Sequence, residues 1–347
     1  MFLSDARGRL LSARAAWAMV LAFAMLWAIP GASLAQLTPD RTYYGFGREI
    51  PVSVSVPDGQ SGDPAIVLFE PSGARVARAE VLAGRVDLAT FFPILWGQNE
   101  PRVLYAQLFA AGDGGEGAPI GPPLVIQPLV SPRMATATRN GIDWQGGQPI
   151  FSGLRLYVDK LVKMTTTEGE ILFRLRPDEA PNTVWHIRQL VEGGFYTDIM
   201  FHRVVPIHHS GKPFVIQVGD PTGTGQGGPG FFIDLEPSSL EHRFGVLSMA
   251  RTRDANTNGS QFFVALSREA TADLDAQYTA FGEAVSGTDV ILAIEQTPLE
   301  DPTRPPTHPR AGRPANPPRI VSAELVDAPA FGTGPEPITR PAPTGER

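Results

Sequence analysis

Phe201 to Pro206, "FHRVVP", sets a histidine and an arginine side by side inside an otherwise apolar run. Read as a plain strand, the run alternates. Phe201, Arg203 and Val205 fall on one face and His202 and Val204 on the other, so Arg203 could simply extend into solvent along its aliphatic stem. That reading leaves open why two side chains able to carry positive charge stand together there. The flanking sequence bears on the choice between a solvated cation and a working one.

Upstream, "RPDEAPNTVWHIRQLVEGG" (176–194) carries helix punctuation. Asp178 and Glu179 precede it, Pro181 fits a first turn, and Gly193-Gly194 stops it; Val184, Ile187 and Val191 share one face. Before it, "LRLYVDKLVKMTTTEGEILFRL" (154–175) reads as two strands joined in a hairpin at Glu168-Gly169. Downstream, strands are expected at 214–219, 244–250, 261–266 and 279–285, a short helix from Asp289, and a last strand over Ile320–Val326 after a proline-rich loop.

Four phrases stand in order here: "GFYTDIMFHRVVP", "FVIQVGDPTGTGQGGPG", "GVLSMARTRDANTNGSQFFVAL" and "YTAFGEAVSG". Together they resemble the cyclophilin family of peptidyl-prolyl cis-trans isomerases over roughly 154–326. The resemblance implies a closed eight-stranded antiparallel barrel with two helices, and an enzyme that rotates Xaa-Pro bonds in other proteins. A proline-segment binding module with little turnover is the alternative.

The resemblance also implies roles. Arg203 would point into the substrate groove, and Gln217 would hydrogen-bond the substrate backbone and orient Arg203. Phe214, Val215, Phe263 and Leu274 would form the proline-ring pocket, with Met249 nearby. Gln261 is a further groove residue, Ala250 and Arg251 a backbone strip that pairs with an extended peptide, and Tyr278 stands where the family has histidine or tyrosine. His202 is a secondary site residue, a neighbour of Arg203 rather than a base, because the reaction moves no proton. No cofactor and no metal are implied. The partners implied are proline-containing segments of unfolded or folded proteins, met by a monomer.

The sequence departs from the family pattern at three points. "IHHSGKP" (207–213) is inserted before Phe214, and the loop before Asn256 is slightly long. Asp273 replaces the tryptophan that often precedes the pocket leucine, which implies weak cyclosporin binding. Other signals are set aside on physical grounds. "GTGQGG" (223–228) matches a dinucleotide fingerprint, but no helix follows to bind an anion, so it reads as turn glycines. His202, His208 and His209 lack partners at ligand spacing. Asn258-Gly259-Ser260 is a formal glycosylation sequon in what the resemblance makes a packed loop.

The remainder of the chain sets the context. With 347 residues, 42% hydrophobic, it has room for about two domains. A net charge of −7 argues against a nucleic-acid partner. Arg7, Arg9 and Arg14, an apolar run over 15–29 and Ser33-Leu34-Ala35 read as a signal peptide cleaved after residue 35, with no stable membrane insertion afterwards. Export is expected, to a periplasm or to the medium, although Cys is 0 and no disulfide helps folding. Residues 40–130 break into short strand-like runs, among them "EIPVSVSVP" and "FFPILWG", which suggest a small immunoglobulin-like β-sandwich. The expected organisation is signal peptide 1–35, sandwich 40–130, linker 131–153, isomerase domain 154–327 and a disordered tail 328–347.

Overall fold

The structure is a computed structural model. It describes residues 37–342 except 57–62, 98–99, 113–114, 132–133, 140, 146–149, 306–307 and 309; the expected signal peptide lies outside the described residues. Ala35–Arg347 forms one compact unit, mainly β. Among the described residues no helix is long and apolar enough to cross a membrane.

The first half runs through β1 (Leu37–Pro39), β2 (Tyr43–Gly45), β3 (Pro51–Val54), β4 (Ala65–Phe69), β5 (Arg75–Glu80), β6 (Gly84–Asp87), the single turn α1 (Leu88–Phe91), β7 (Leu104–Gly112), β8 (Gly115–Val130), β9 (Met134–Thr138), β10 (Gly141–Gln145) and β11 (Phe151–Val158). Three sheets result, β1-β3-β6, β2-β11-β8-β7-β4-β5 and the pair β9-β10. The first two share a core in which Ile50, Val52 and Val54, the alternating residues of "EIPVSVSVP", meet Leu68, Leu104 and Leu124.

Three expectations are corrected here. "FFPILWG" is not a strand: Asp87 Oδ1 accepts the Ala89 N–H, starting a helical turn, and Pro93, which has no N–H to give a ladder, opens a 3₁₀ turn over Pro93–Leu95. Residues 131–153 are more than a linker, because β9 and β10 pair as a hairpin. "LRLYV" does not begin the second half: β11 pairs with β8 and β2, so the change of sheet falls at Asp159.

From there the chain continues through β12 (Lys160–Thr166), β13 (Gly169–Leu175), α2 (Pro181–Glu192), β14 (Ile199–Met200), β15 (Arg203–Val205), β16 (Val215–Val218), β17 (Val246–Met249), β18 (Phe262–Ala265), the single turn α3 (Arg268–Thr271), β19 (Ala280–Ser286), α4 (Thr288–Glu295) and β20 (Arg319–Asp327). Antiparallel ladders join them in the order β14-β20-β12-β13-β19-β17-β18-β16-β15. The ladders form a nine-stranded sheet rather than a closed ring of eight. Its end strands, β14 and β15, are consecutive in the chain, with Phe201 and His202 between them.

That break alters the alternation expected for "FHRVVP". Phe201 and Val204 both enter the interior cluster, where Phe173 and Phe281 are fully buried, while Arg203 takes the opposite face. Helix α2 adds Val184, Ile187 and Val191 to this core, and α4 adds Val290, Ile291 and Ile294. The proline-rich loop supports the break: Pro318 O accepts the Phe201 N–H at 2.8 Å and Gly312 O accepts that of Val204 at 2.7 Å.

The expected disordered tail is corrected over 328–342. Phe331 stacks on Phe69 at 5.0 Å and lies 4.8 Å from Tyr105, and its N–H donates to the buried Gln107 Oε1 at 2.8 Å. Further on, Arg340 donates to both carboxylate oxygens of Glu295 at 2.8 and 2.9 Å.

Candidate functional site

The strands β15, β16 and β18 lie side by side, with Arg203 opposite Gln217 and Gln217 opposite Phe263. Their neighbours Val204, Ile216, Val218, Phe262 and Val264 point into the core, so alternation turns Arg203, Gln217 and Phe263 to the other face. Three short strands thereby put a cation, an amide and an aromatic ring in one row.

A directional chain of hydrogen bonds fixes this row. Arg203 Nη1 donates to Gln217 Oε1 at 3.3 Å, Gln217 Nε2 to Gln261 Oε1 at 3.0 Å, and Gln261 Nε2 to the Gly227 carbonyl at 2.9 Å. Because each amide donates onward, Gln217 can only present its oxygen to the guanidinium. Among the described residues no carboxylate pairs with Arg203. Burial pushes its pKa down, yet an arginine remains charged at working pH. The arrangement is a partly desolvated cation with N–H groups left to donate to a carbonyl oxygen or a nitrogen lone pair.

An open groove of about 560 Å³ runs beside it, lined by Gln217, Ala250, Arg251, Gln261 and the 225–232 loop. Ala250 N donates to Gln261 O at 2.9 Å, which aligns the 250–252 strip along the groove. Phe263 meets Tyr278 edge-on at 5.9 Å, and the Arg251 guanidinium lies 4.3 Å over the Tyr278 ring. Phe214 is half-buried in the segment leading into β16, Val215 is buried on the Gln217 face, and Leu274 is half-buried in a 3₁₀ turn with Asp273 exposed before it.

One expected site residue lies elsewhere. Met249 pairs with Phe262 and shares its inward face in the core, fully buried, so it does not reach the groove. His202 is buried beside Gly225, next to Arg203 and Gln261. Burial pushes its pKa down to about 4 against the pull of Asp220, which keeps the ring neutral near pH 7.

Other features were not foreseen. The glycine-rich loop is a groove wall, organised by the buried Asp220, whose carboxylate accepts from Thr222 N at 2.7 Å and Gly225 N at 2.6 Å. A Cβ at Gly227 would sit 2.0 Å from Asp220 Oδ1, so only glycine brings that carbonyl to Gln261. The inserted His208 stacks on Phe214 at 4.4 Å with 15° between planes. The signal for the loop was an aspartate just before a run of turn formers, a pattern that favours local side-chain to backbone bonds. Asn258 of the sequon is fully buried, its amide donating to Ile233 O and Ala255 O, as expected of a packed loop.

Comparison with known proteins covers the second half of the chain. The family described as cyclophilin type peptidyl-prolyl cis-trans isomerase/CLD matches residues 161–325. Peptidyl-prolyl cis-trans isomerase-like 2 of Rhizopus delemar is 40% identical over 148 residues, 41% of this chain and 26% of that protein. Peptidyl-prolyl cis-trans isomerase ppi1 of Schizosaccharomyces pombe is 40% identical over 149 residues, 42% of this chain and 90% of that protein. The chain thus spans about a quarter of the longer relative and nearly all of the shorter. A cyclophilin type isomerase of Cryptosporidium parvum, crystallised in the presence of the dipeptide Ala-Pro, is 30% identical with a TM-score of 0.41, over 48% of this chain and 98% of that one.

Proposed function

As the chain belongs to the cyclophilin-type peptidyl-prolyl cis-trans isomerase family, we propose that its groove takes Xaa-Pro segments of exported proteins and that Arg203 is the residue chiefly responsible for turnover. The observation that carries this reading is the guanidinium held by Gln217 beside the groove without a carboxylate partner.

A peptide bond resists rotation by about 18 to 20 kcal/mol because the nitrogen lone pair is delocalised into the carbonyl. Twisting an Xaa-Pro bond returns that pair to the prolyl nitrogen. An N–H of Arg203 aimed there forms a hydrogen bond that is strong in the twisted state and weak in the planar one, which is differential binding of the transition state. Gln217 keeps the fork aimed, and Phe263 with Phe214 and Leu274 offers apolar surface for the ring. The reaction moves no proton, so the neutral His202 serves structure.

Exchange of Ala-Ala-Pro-Phe followed by NMR tests the reading. The chain from Gln36 is expected to accelerate exchange, and Arg203→Ala to lower that acceleration by about a hundredfold, the usual loss when one preorganised donor is removed. Binding of the peptide without acceleration would instead make the groove a proline-recognition module. We further read the sheets β1-β3-β6 and β2-β11-β8-β7-β4-β5 as an immunoglobulin-like sandwich and the nine strands as a closed barrel with β14 and β15 sharing one stave. Export, to a periplasm or the medium, rests on the sequence of 1–35; a chain recovered from cells with that segment intact would count against it.

A further inference from the structure

Outside the matched stretch 161–325, the hairpin β9–β10 reaches the loops that carry the groove. It presents Ala135, fully buried, to Leu235 and Ala255, with Ala137 and Ile142 flanking the contact. The pairs Ala137 with Ile142 and Ala135 with Trp144 put these four side chains on one face of the hairpin. At its tip the Thr138 carbonyl accepts a hydrogen bond from Gln277 Nε2 at 3.1 Å.

Gln277 passes this contact on. Its own carbonyl accepts from Arg251 Nε at 3.1 Å and Nη2 at 2.9 Å, and that guanidinium is the one over Tyr278, which in turn abuts Phe263. Arg251 lines the groove with Ala250 and Gln217. A contiguous set of contacts therefore runs from the hairpin through Gln277 to the groove wall.

Resting on the isomerase reading of that groove, we propose that the hairpin is a positioning element for substrate and Gln277 its positioning residue. Docked on 235 and 255 and bonded to Gln277, it holds the 275–278 turn, so that Arg251 and Tyr278 stand as a preformed wall for a proline-containing polypeptide. A long arginine side chain has many rotamers, and ordering it before substrate arrives removes that cost from binding. The wall acts on planar and twisted substrate alike, because it does not touch the reacting nitrogen. Its loss therefore raises KM and leaves kcat in place.

The test uses the full chain with Gln277→Ala and Ala135→Asp, singly and together, and with Gln277→Lys and Ala135→Ser as conservative variants. Gln277 is only partly buried, so its substitution leaves the fold intact; Ala135→Asp forces a charge into the dock. Exchange of Ala-Ala-Pro-Phe gives kcat and KM, and titration of the same peptide gives Kd. Each single variant is expected to raise KM and Kd about threefold, the scale of one modest hydrogen bond, with kcat unchanged. The double variant is expected to be no worse than the weaker single, because both release one dock. Gln277→Lys keeps a donor and Ala135→Ser keeps the packing, so both retain parental values.

Unchanged KM and Kd in Gln277→Ala, a fall in kcat at constant KM, or effects that multiply in the double variant would each overturn the proposal. A parent that binds peptide without turnover overturns the isomerase reading alone, since Kd still reports on the hairpin. A parent that binds no peptide overturns both.

Discussion

Arg203 and His202 are neighbours in sequence with opposite treatments. Arg203 keeps its charge at the groove; His202 is buried and loses it. The histidine makes stability depend on pH. Its folded pKa, about 4, lies below the ordinary value near 6.5, so the unfolded chain binds the proton more readily. Its contribution is complete above about pH 6.5 and is lost as pH falls towards 4. The largest loss is about 3 kcal/mol, from 1.36 kcal/mol per unit. Asp159, raised to about 6 by burial, works in the opposite direction over the same window. The comparison must therefore be between variants: relative to the parent, His202→Phe is expected to remove about 2 to 3 kcal/mol of acid destabilisation between pH 7 and 4.5 in denaturant titrations. Parallel profiles would mean that the ring is protonated without penalty.

Among the elements, α2 shows how a local signal can point to the wrong partner. Asp178 and Glu179 precede its first turn, but Asp178 binds Arg176, and Glu179 accepts from Ser239 N at 2.8 Å. The N–H groups of Asn182 and Thr183 are instead capped by Glu236, at 2.9 and 2.6 Å. Ala180, at the N-cap, has no side chain to do this. Glu236→Ala is expected to cost about 1 to 2 kcal/mol in equilibrium unfolding, the range for a lost cap. An unchanged midpoint would show that water replaces the carboxylate. The strands expected at 214–219, 244–250, 261–266, 279–285 and 320–326 and the helix expected from Asp289 fall within two residues of those spans, because alternation and punctuation are local.

At the scale of the whole molecule, the two halves are tied at two places besides the dock of the β9–β10 hairpin. Trp185 of α2 lies 5.3 Å from Tyr157 of β11, with the Arg155 guanidinium 4.8 Å over the Trp185 ring. On the six-stranded sheet, Phe331 of the C-terminal segment packs against Phe69 and Tyr105. These contacts predict that the halves unfold together. Phe331→Ala is expected to lower stability by about 2 kcal/mol, less than a fully buried phenylalanine because the ring is partly exposed. Ending the chain after Asp327 is expected to separate the transitions of the two halves in calorimetry. A single transition at the parental temperature in the shortened chain would show that the segment adds nothing.

By itself the sequence determined most strands and helices of the second half and singled out Arg203, Gln217 and Gln261, which the fold joins by hydrogen bonds. Motif order, strand period and helix punctuation are all carried by residues close together, and each strand turns its alternate residues to a known side. Met249 was legible on the same ground: one residue before Ala250, it had to face the other way. Tertiary structure alone decided the rest. Whether "LRLYV" joins the first sheet or the second cannot be read from alternation, since either sheet would bury the same residues. Gln277 and Thr138 are 139 residues apart, and Phe331 and Gln107 are 224 apart. Such pairs leave no period in the chain. They exist because buried polar groups need partners and exposed rings need cover, and only the folded backbone determines which distant residue supplies them.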